Sequence, residues 1–254
     1  MSFGAVAADY DRLRPPPAAA AVDWLLAGPG PRRTVVDLAA GTGLLSRALA
    51  ASGAAVVAVE PDERMRAVLA ARSPGIEVRD GRGEAIPLPD ASADAVYVSS
   101  AWHWMDAGRA LAEIARVLRD GARFGAIWTG ADPQVPWLRQ LWALRDGQRR
   151  RHRDDDRPGV PAAGQARVRE IMLPGGAPFG AVRTASFGYL RRMSPGDFAA
   201  MFATYSGVIT AGPAERAAVL GEIQEAVAGM FPGAAEIEVP MRSRTWRADR
   251  LPRA

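Results

Sequence analysis

The 254-residue sequence predicts one α/β fold, in which a doubly wound, Rossmann-like and mostly parallel sheet has helices on both faces. In the first half of the chain, short β-branched runs alternate with stretches that have leucine and alanine at helical spacing. A turn that contains two glycines directly follows the first of these runs. The hydrophobic fraction of 48% and the charged fraction of 24% are typical of a globular chain with a buried core.

The elements of the first half follow from local patterns. A β-branched run over 34–38 stops at the glycine turn, and Gly53 suits the end of the helix that comes next. Pro61 suits the start of another helix. The predicted strands are 34–38, 54–60, 76–79, 93–99 and 123–129, and the predicted helices are 44–52, 62–72 and 107–118.

Beyond Thr129 the pattern is weaker, but structure returns toward the end of the chain. The mixed-charge run over 149–156 is interpreted as a solvated loop or a helix end. An antiparallel, hairpin-like finish beside the fifth strand is expected from the last segments. The predicted elements are helices over 136–146, 194–205 and 213–230 and strands over 182–191 and 237–246.

Composition excludes several classes of function. The sequence contains no cysteine, so a disulfide framework and a thiolate metal site are excluded, and two histidines, His103 and His152, do not supply a histidine metal cluster. Arginine supplies every basic side chain, and the formal net charge is only +4, so a nucleic-acid partner is disfavoured.

No targeting or membrane segment is recognised. Residues 1–14 carry Asp9, Asp11 and Arg12 in place of the basic and apolar regions of a signal peptide. No apolar run approaches the roughly 20 residues that span a bilayer. We therefore expect a cytoplasmic protein without a membrane partner.

The glycine turn at Gly41 and Gly43 lets the backbone approach a ligand closely. Asp37 precedes the turn, where its charge would repel a pyrophosphate, and Ser46 stands in place of the third glycine of the dinucleotide fingerprint. Glu60 closes the second strand, where a carboxylate can accept hydrogen bonds from both ribose hydroxyls. The pattern favours an adenosyl ligand over NAD, although each glycine can also serve the turn alone and Glu60 can be a solvated strand end.

Four segments resemble the class I S-adenosylmethionine-dependent methyltransferases. They are Asp-Leu-Ala-Ala-Gly-Thr-Gly at 37–43, Val-Glu-Pro-Asp at 59–62, Gly-Glu-Ala-Ile-Pro-Leu-Pro-Asp at 83–90 and Arg-Val-Leu-Arg-Asp-Gly at 116–121. The resemblance implies a seven-stranded sheet, mostly parallel with an antiparallel C-terminal strand, plus helical additions. It also implies S-adenosylmethionine as cofactor and in-line methyl transfer to a small molecule.

The same resemblance assigns residues to the cofactor. Asp37 would orient the methionine part, Glu60 would hold the ribose, and the strand end at Ser99 and Ser100 would lie near the methyl group. The family often has an acidic residue after the third strand, where this sequence has Gly83 with Glu84 beside it, so backbone groups can serve instead. The full cofactor set is Asp37, Ala39, Gly41, Gly43, Glu60, Pro61, Asp62, Gly83, Glu84 and Ser99.

A narrower resemblance, to the methyltransferase type 11 branch that includes trans-aconitate methyltransferase-like proteins, comes from two further segments. These are Tyr-Asp-Arg-Leu-Arg-Pro at 10–15 and Ala-Trp-His-Trp-Met-Asp at 101–106. It implies one domain over 1–254, made of an N-terminal lid with helices (1–30), a cofactor-binding core (31–130), a variable insert (131–180) and C-terminal strands and helices (181–254).

Candidate substrate residues follow from these two segments. His103 is either a base for a hydroxyl acceptor or a packed or capping histidine. Arg14 either pairs with a carboxylate or is an exposed arginine before a proline bend, and Tyr10 belongs to the same lid. The tryptophans either wall a substrate pocket or belong to the core. They are Trp102, Trp104, Trp137 and Trp142.

Three rival functions stay open beside methyl transfer to a small molecule. The first is methylation of RNA or another nucleic acid, although the segment Ser99 to Trp102 lacks the Asn/Asp-Pro-Pro-aromatic motif of enzymes that methylate base amines. The second is a dinucleotide-dependent oxidoreductase, and the third is a non-catalytic adenosyl-binding or scaffold protein.

Overall fold

The computed structural model describes residues 3–28, 34–151, 173 and 176–252, with the backbone alone for 147–151. His152 and most of the predicted variable insert lie outside the described residues. By its internal contacts the chain divides into two compact units. We call residues 16–129, 171–187 and 242–254 the sheet unit, and residues 1–15, 130–170 and 188–241 the helical unit.

The described strands form a seven-stranded sheet in the order β3-β2-β1-β4-β5-β7-β6. Strands β1 to β5 run parallel. The backbone bonds from Gly121 to Arg250 and from Asp132 to Pro240 run in the sense of an antiparallel pair between β5 and β7. The predicted fold class, including the antiparallel C-terminal strand, is confirmed. The strands are β1 (Thr34–Leu38), β2 (Ala55–Val59), β3 (Glu77–Arg79), β4 (Ala93–Ser99), β5 (Leu118–Ala131), β6 (Arg183–Met193) and β7 (Ile237–Asp249).

Nine described α-helices accompany the sheet, together with 3₁₀ turns at Phe3–Val6, Trp102–Trp104 and Phe202–Thr204. Asp62 and Asp106 start two of these helices by accepting hydrogen bonds from free backbone N–H groups. The helices are α1 (Ala7–Leu13), α2 (Ala19–Leu26), α3 (Leu44–Ala51), α4 (Glu63–Arg72), α5 (Ala107–Val117), α6 (Pro136–Arg151), α7 (Pro195–Met201), α8 (Ser206–Ile209) and α9 (Pro213–Met230). No described helix is long and apolar enough to cross a bilayer.

The central strands of the sheet unit are buried on both faces. Tyr97 and Phe124 are among the largest fully buried side chains, and Phe124 packs against Trp102, Phe179 and Trp246. Parallel pairing of β1 with β2 and with β4 places the carboxyl ends of these strands at one edge of the sheet. In open α/β sheets this edge is where ligands bind.

Among the predicted boundaries that differ from the structure are the start of the fifth strand and the end of the helix over 136–146. The fifth strand was predicted over 123–129, but β5 already begins at Leu118. Gly121 takes a left-handed φ of 71°, and its N–H donates to the carbonyl of Arg250 at 3.0 Å, so pairing with the C-terminal strand holds this stretch extended. Helix α6 extends to Arg151, five residues beyond the predicted end.

Candidate functional site

The turn after β1 forms one wall of the candidate site. Ala39, Gly41 and Gly43 all have left-handed φ angles, of 55°, 58° and 87°. Alanine rarely adopts such a φ, and strained backbone of this kind is concentrated at functional sites. A methyl group added at Gly41 would meet no atom within 4 Å, so the backbone there borders open space. A left-handed turn beside open space is the geometry that a close approach of the backbone to a ligand requires.

Asp37 lies beneath this turn and is fully buried. Its Oδ2 accepts a hydrogen bond from Ser46 Oγ at 2.6 Å, whereas its Oδ1 has no partner among the described residues. Burial raises the pKa of Asp37 to about 7. A buried carboxylate oxygen without a partner is costly, so a cationic or hydrogen-bond-donating ligand group is what this position lacks.

Glu60 connects the ends of β1 and β2. Its Oε2 accepts the N–H of Gly41 at 2.8 Å, and its Oε1 accepts the N–H of Asp62 at 2.9 Å. Desolvation is the main cause of its raised pKa. Each carboxylate oxygen keeps a second lone pair, so this side chain can fix the turn and still accept two hydroxyl donors.

Arg66 supports the same corner from α4, and sequence reasoning missed it. Its Nη1 donates to the carbonyl oxygens of Glu60 and Pro61, both at 2.8 Å, and to Asp80 Oδ1 at 2.9 Å. The signal in the sequence was its position, four residues after the helix start at Asp62. Asp62 Oδ1 accepts hydrogen bonds from the N–H groups of Arg64 and Met65, so this side chain caps the N-terminus of α4.

The loops after β3 and β4 are tied to each other. Glu84 Oε1 accepts the N–H of Asp106 at 2.8 Å, and a Cβ at Gly83 would stand 2.6 Å from Met105 Sδ. Ser99 ends β4, and Ser100 has a left-handed φ of 55° with its N–H bonded to Ile127 at 2.9 Å. The contacts of Gly83 and Glu84 are therefore structural in this state, and a role toward an adenine stays a prediction.

His103 lies in the 3₁₀ turn after β4 beside Trp104, with ring centroids 5.0 Å apart. Partial desolvation lowers the pKa of His103, so the neutral imidazole that a general base needs predominates at neutral pH. Trp104 is 56% exposed, whereas Trp102 packs on Phe124 at 5.4 Å. Trp102 is thus part of the packing, whereas Trp104 is largely exposed.

The other predicted substrate residues lie in the helical unit. Tyr10 and Arg14 stack on each other, with the Arg14 guanidinium carbon 5.4 Å from the ring centroid. Trp137 packs against Phe198 and Phe231, and Trp142 packs against Phe202 and Tyr205. The core interpretation of these two tryptophans is supported by those contacts. The lid role of Tyr10 and Arg14 stays a prediction.

The fold and the site together define a class. The resemblance to class I methyltransferases was based on four sequence segments, and the structure has the seven-stranded sheet that it implied, with a glycine turn after β1 and a carboxylate at the end of β2. Comparison with known proteins agrees, because residues 36–126 match the family model described as a methyltransferase domain. This segment is a methyltransferase domain of the class I, S-adenosylmethionine-dependent type.

Three relatives illustrate how far the similarity extends. A protein of Mycobacterium bovis, named as an uncharacterized methyltransferase, is 46% identical over 149 residues, which is 58% of this chain and 60% of that protein. An uncharacterized methyltransferase-like protein of Schizosaccharomyces pombe is 27% identical over 88% of this chain and 85% of its own length. The structure of a putative type II methyltransferase from Anaeromyxobacter dehalogenans has a TM-score of 0.70 and 28% identity, covering 94% of this chain and 99% of that chain.

The chain spans 60% of the length of the mycobacterial relatives, so the similarity at this level concerns a part of each protein. None of the three relatives carries a name that specifies a methyl acceptor. The narrower resemblance to the trans-aconitate branch stays a prediction.

One consequence of the buried Asp37 concerns stability. Its carboxyl titrates near 3.8 when exposed and at about 7 in the fold, so the folded state holds the proton more tightly across this interval. The contribution of Asp37 to the free energy of unfolding therefore falls as the pH rises from about 4 to about 7 and levels off above, by about 4 kcal/mol in all. The raised pKa of Glu60 acts in the same direction.

Urea unfolding of the wild type and of Asp37→Asn at a series of pH values between 4 and 9 checks this expectation. Since the other groups titrate alike in both proteins, the difference between the two curves isolates Asp37. The wild type should lose stability relative to the variant as the pH rises toward 7. Parallel curves would show that Asp37 titrates near its ordinary pKa.

Proposed function

We propose that this protein transfers a methyl group from S-adenosylmethionine to a small-molecule acceptor. The observation that carries the proposal is the corner formed by the Gly41 turn, the unpartnered Oδ1 of Asp37 and the carboxylate of Glu60. The corner offers open space over a glycine, a buried acceptor for a donor or cation, and two oxygens with lone pairs to spare. A nucleoside with vicinal hydroxyls and an amino-acid tail satisfies all three features.

The residues have distinct roles in this proposal. Glu60 accepts the ribose hydroxyls and at the same time holds the turn through the N–H of Gly41. Asp37 faces the positively charged methionine part, and the backbone at Ala39, Gly41 and Gly43 lines it. Ser99 ends β4 near the methyl group, Gly83 and Glu84 border the adenine with backbone groups, and Pro61 and Asp62 flank it.

When bound, the sulfonium supplies an electrophilic methyl group that a nucleophile displaces in line. The protein then has to align the reacting atoms and exclude water, and it needs no covalent nucleophile of its own. His103 accepts the acceptor's proton where that acceptor is a hydroxyl. Its lowered pKa keeps the imidazole neutral for this task.

A small-molecule acceptor is favoured over a nucleic acid on two grounds. After β4 the chain has Ser99-Ser100-Ala101-Trp102 where enzymes that methylate base amines have Asn/Asp-Pro-Pro and an aromatic residue. The basic residues are also heavily paired with acids in the described sheet unit, as in Arg116 with Glu113 and Asp90 and in Arg123 with Asp249. Such pairing leaves little unbalanced charge for a phosphate backbone.

The experiment is a transfer assay with tritiated methyl donor and a small-metabolite extract, run beside random RNA. Label should enter the metabolite fraction and not the RNA. In the same assay His103→Ala should lower turnover about a hundredfold while affinity for S-adenosylhomocysteine stays within about twofold, because a general base acts after binding. His152→Ala serves as the matched control. Unchanged turnover in His103→Ala would show that His103 is not a general base. Label in the RNA and not in the metabolite fraction would show that the acceptor is a nucleic acid.

A further inference from the structure

The 3₁₀ turn that carries His103 follows β4 and is closed by its own backbone. Within the turn, the N–H of Trp104 donates to the carbonyl of Ala101 at 2.9 Å. Directly before it, the N–H of Ser100 donates to the carbonyl of Ile127 in β5, also at 2.9 Å. The entrance of the turn is therefore fixed to the sheet. The orientation of His103 then depends on what holds the exit.

The side chain of Glu84 holds this exit. Asp106 connects the turn to α5, and its N–H donates to Glu84 Oε1 at 2.8 Å. Asp106 Oδ1 in turn accepts the N–H of Arg109 at 3.0 Å, so the same residue caps the helix. A hydrogen bond to a carboxylate is stronger than one to a neutral acceptor. Glu84 therefore fixes the point at which the chain passes from the His103 turn into α5.

Gly83 fixes the same exit by packing. A Cβ at Gly83 would stand 2.6 Å from Sδ and 3.1 Å from Cγ of Met105, and 3.4 Å from Cβ of Ala110. Because the first of these distances is far below van der Waals contact, any larger residue at this position would displace the Met105 side chain. Met105 lies in the sequence between the turn and Asp106. Packing and hydrogen bond thus act on adjacent residues of the exit.

The loop that carries Glu84 is itself mounted on α5. The N–H of Ile86 donates to Glu113 Oε2 at 2.8 Å. Arg116 donates to the carbonyls of Ile86 and Leu88 at 2.9 and 2.8 Å. These bonds do not involve the side chain of Glu84, so the loop stays in place without it. Removal of the Glu84 carboxylate would therefore free the turn and not the loop.

We propose that Glu84, with Gly83 beside it, is a positioning residue that holds the His103 turn in the orientation in which the imidazole accepts the acceptor's proton. The inference rests on the function proposed above. It assigns the side chain of Glu84 to the His103 turn, and leaves the backbone of the same loop to border the adenine. A general base that is slightly misplaced slows the chemical step while the cofactor still binds.

Kinetics in the transfer assay give the first test. Glu84→Ala should lower kcat about tenfold and leave the affinity for S-adenosylhomocysteine within about threefold. Glu84→Gln keeps an acceptor oxygen for the N–H of Asp106, so it should restore kcat to within about threefold of the wild type. Asp90→Ala is the matched control, because Asp90 is an exposed carboxylate of the same loop that binds Arg116 at 2.8 Å. A loss of affinity with kcat unchanged in Glu84→Ala would make Glu84 an adenine contact and overturn the proposal.

An NMR titration of His103 in the free, full-length protein gives a second test that needs no methyl transfer. The chain has two histidines, so His103→Ala and His152→Ala assign the imidazole signals. In the wild type, partial desolvation lowers the pKa of His103. In Glu84→Ala the freed turn should expose the ring, so this pKa should rise toward its ordinary value. Loss of a negative charge alone would lower the pKa of a histidine, so a rise has to come from the turn.

Three further variants complete the titration. Glu84→Gln and Asp90→Ala should not raise the pKa of His103. Gly83→Ala displaces Met105 in place of breaking the hydrogen bond, so it should raise this pKa and keeps the test valid if Glu84→Ala fails to fold. A His103 pKa that stays at the wild-type value in both Glu84→Ala and Gly83→Ala would overturn the proposal. A wild type that transfers no methyl group would contradict the proposed function, while the titration still decides whether Glu84 positions His103.

Discussion

Glu60→Ala is expected to lower the affinity for S-adenosylhomocysteine at least about a hundredfold. The variant would lose the two charge-assisted hydrogen bonds between the Glu60 carboxylate and the ribose, each worth about 1.5–3 kcal/mol. The N–H groups of Gly41 and Asp62, which donate to Glu60 at 2.8 and 2.9 Å, would also lose their acceptor, so the turn itself would loosen. Both effects act on binding, so the loss should exceed that of a ribose contact alone.

Glu63→Ala is the matched control for this variant. Glu63 begins α4 three residues further on and is exposed, so its removal should leave the affinity unchanged. Titration calorimetry measures both variants, and thermal unfolding confirms that each is folded. Binding by Glu60→Ala within threefold of the wild type would show that Glu60 is a strand-end carboxylate without a ligand.

Gly43→Ala is expected mainly to lower folding stability, whereas Gly41→Ala is expected mainly to lower affinity for the cofactor. Both positions have left-handed φ, which costs alanine about 1 kcal/mol. At Gly43 the added Cβ would also stand 2.8 Å from Cγ of the fully buried Leu69, and such overpacking costs a further 1–3 kcal/mol or so. Gly43→Ala should therefore lose about 2–4 kcal/mol of folding stability.

At Gly41 the added methyl group meets no protein atom, so the loss of stability should stay near 1 kcal/mol. The same methyl group would enter the space proposed for the cofactor, so affinity for S-adenosylhomocysteine should fall about tenfold or more. Urea unfolding and calorimetry on the two variants check the contrast. Equal losses of stability with unchanged affinity at Gly41 would mean that both glycines serve the turn alone.

Local patterns sufficed for the elements that carry the site. The bounds of β1 and β4 agree with the prediction because each is a buried apolar run that stops at a polar or glycine turn. Gly41 and Gly43 were singled out by the turn that follows the first strand, and both have positive φ angles there. Glu60 was singled out from its position at the end of the second strand, about 20 residues after the turn.

Contacts that depend on tertiary packing could not be predicted from the sequence. The left-handed Ser100 and the bond from Glu84 to Asp106 depend on how neighbouring strands align their loops. The early start of β5 depends on pairing with a strand about 130 residues later in the chain. The burial of Arg14 beneath Tyr205 joins residues 191 positions apart, and no local pattern in the sequence reports it.

The most direct test of the central claim is a calorimetric titration of the wild-type chain with S-adenosylhomocysteine, NAD and NADP in turn. A saturable heat of binding is expected for the homocysteine nucleoside and none for either dinucleotide, because the ionised Asp37 beneath the turn repels a pyrophosphate and Ser46 stands in place of the third glycine of the dinucleotide fingerprint. Tight binding of NADP with no heat from S-adenosylhomocysteine would contradict it.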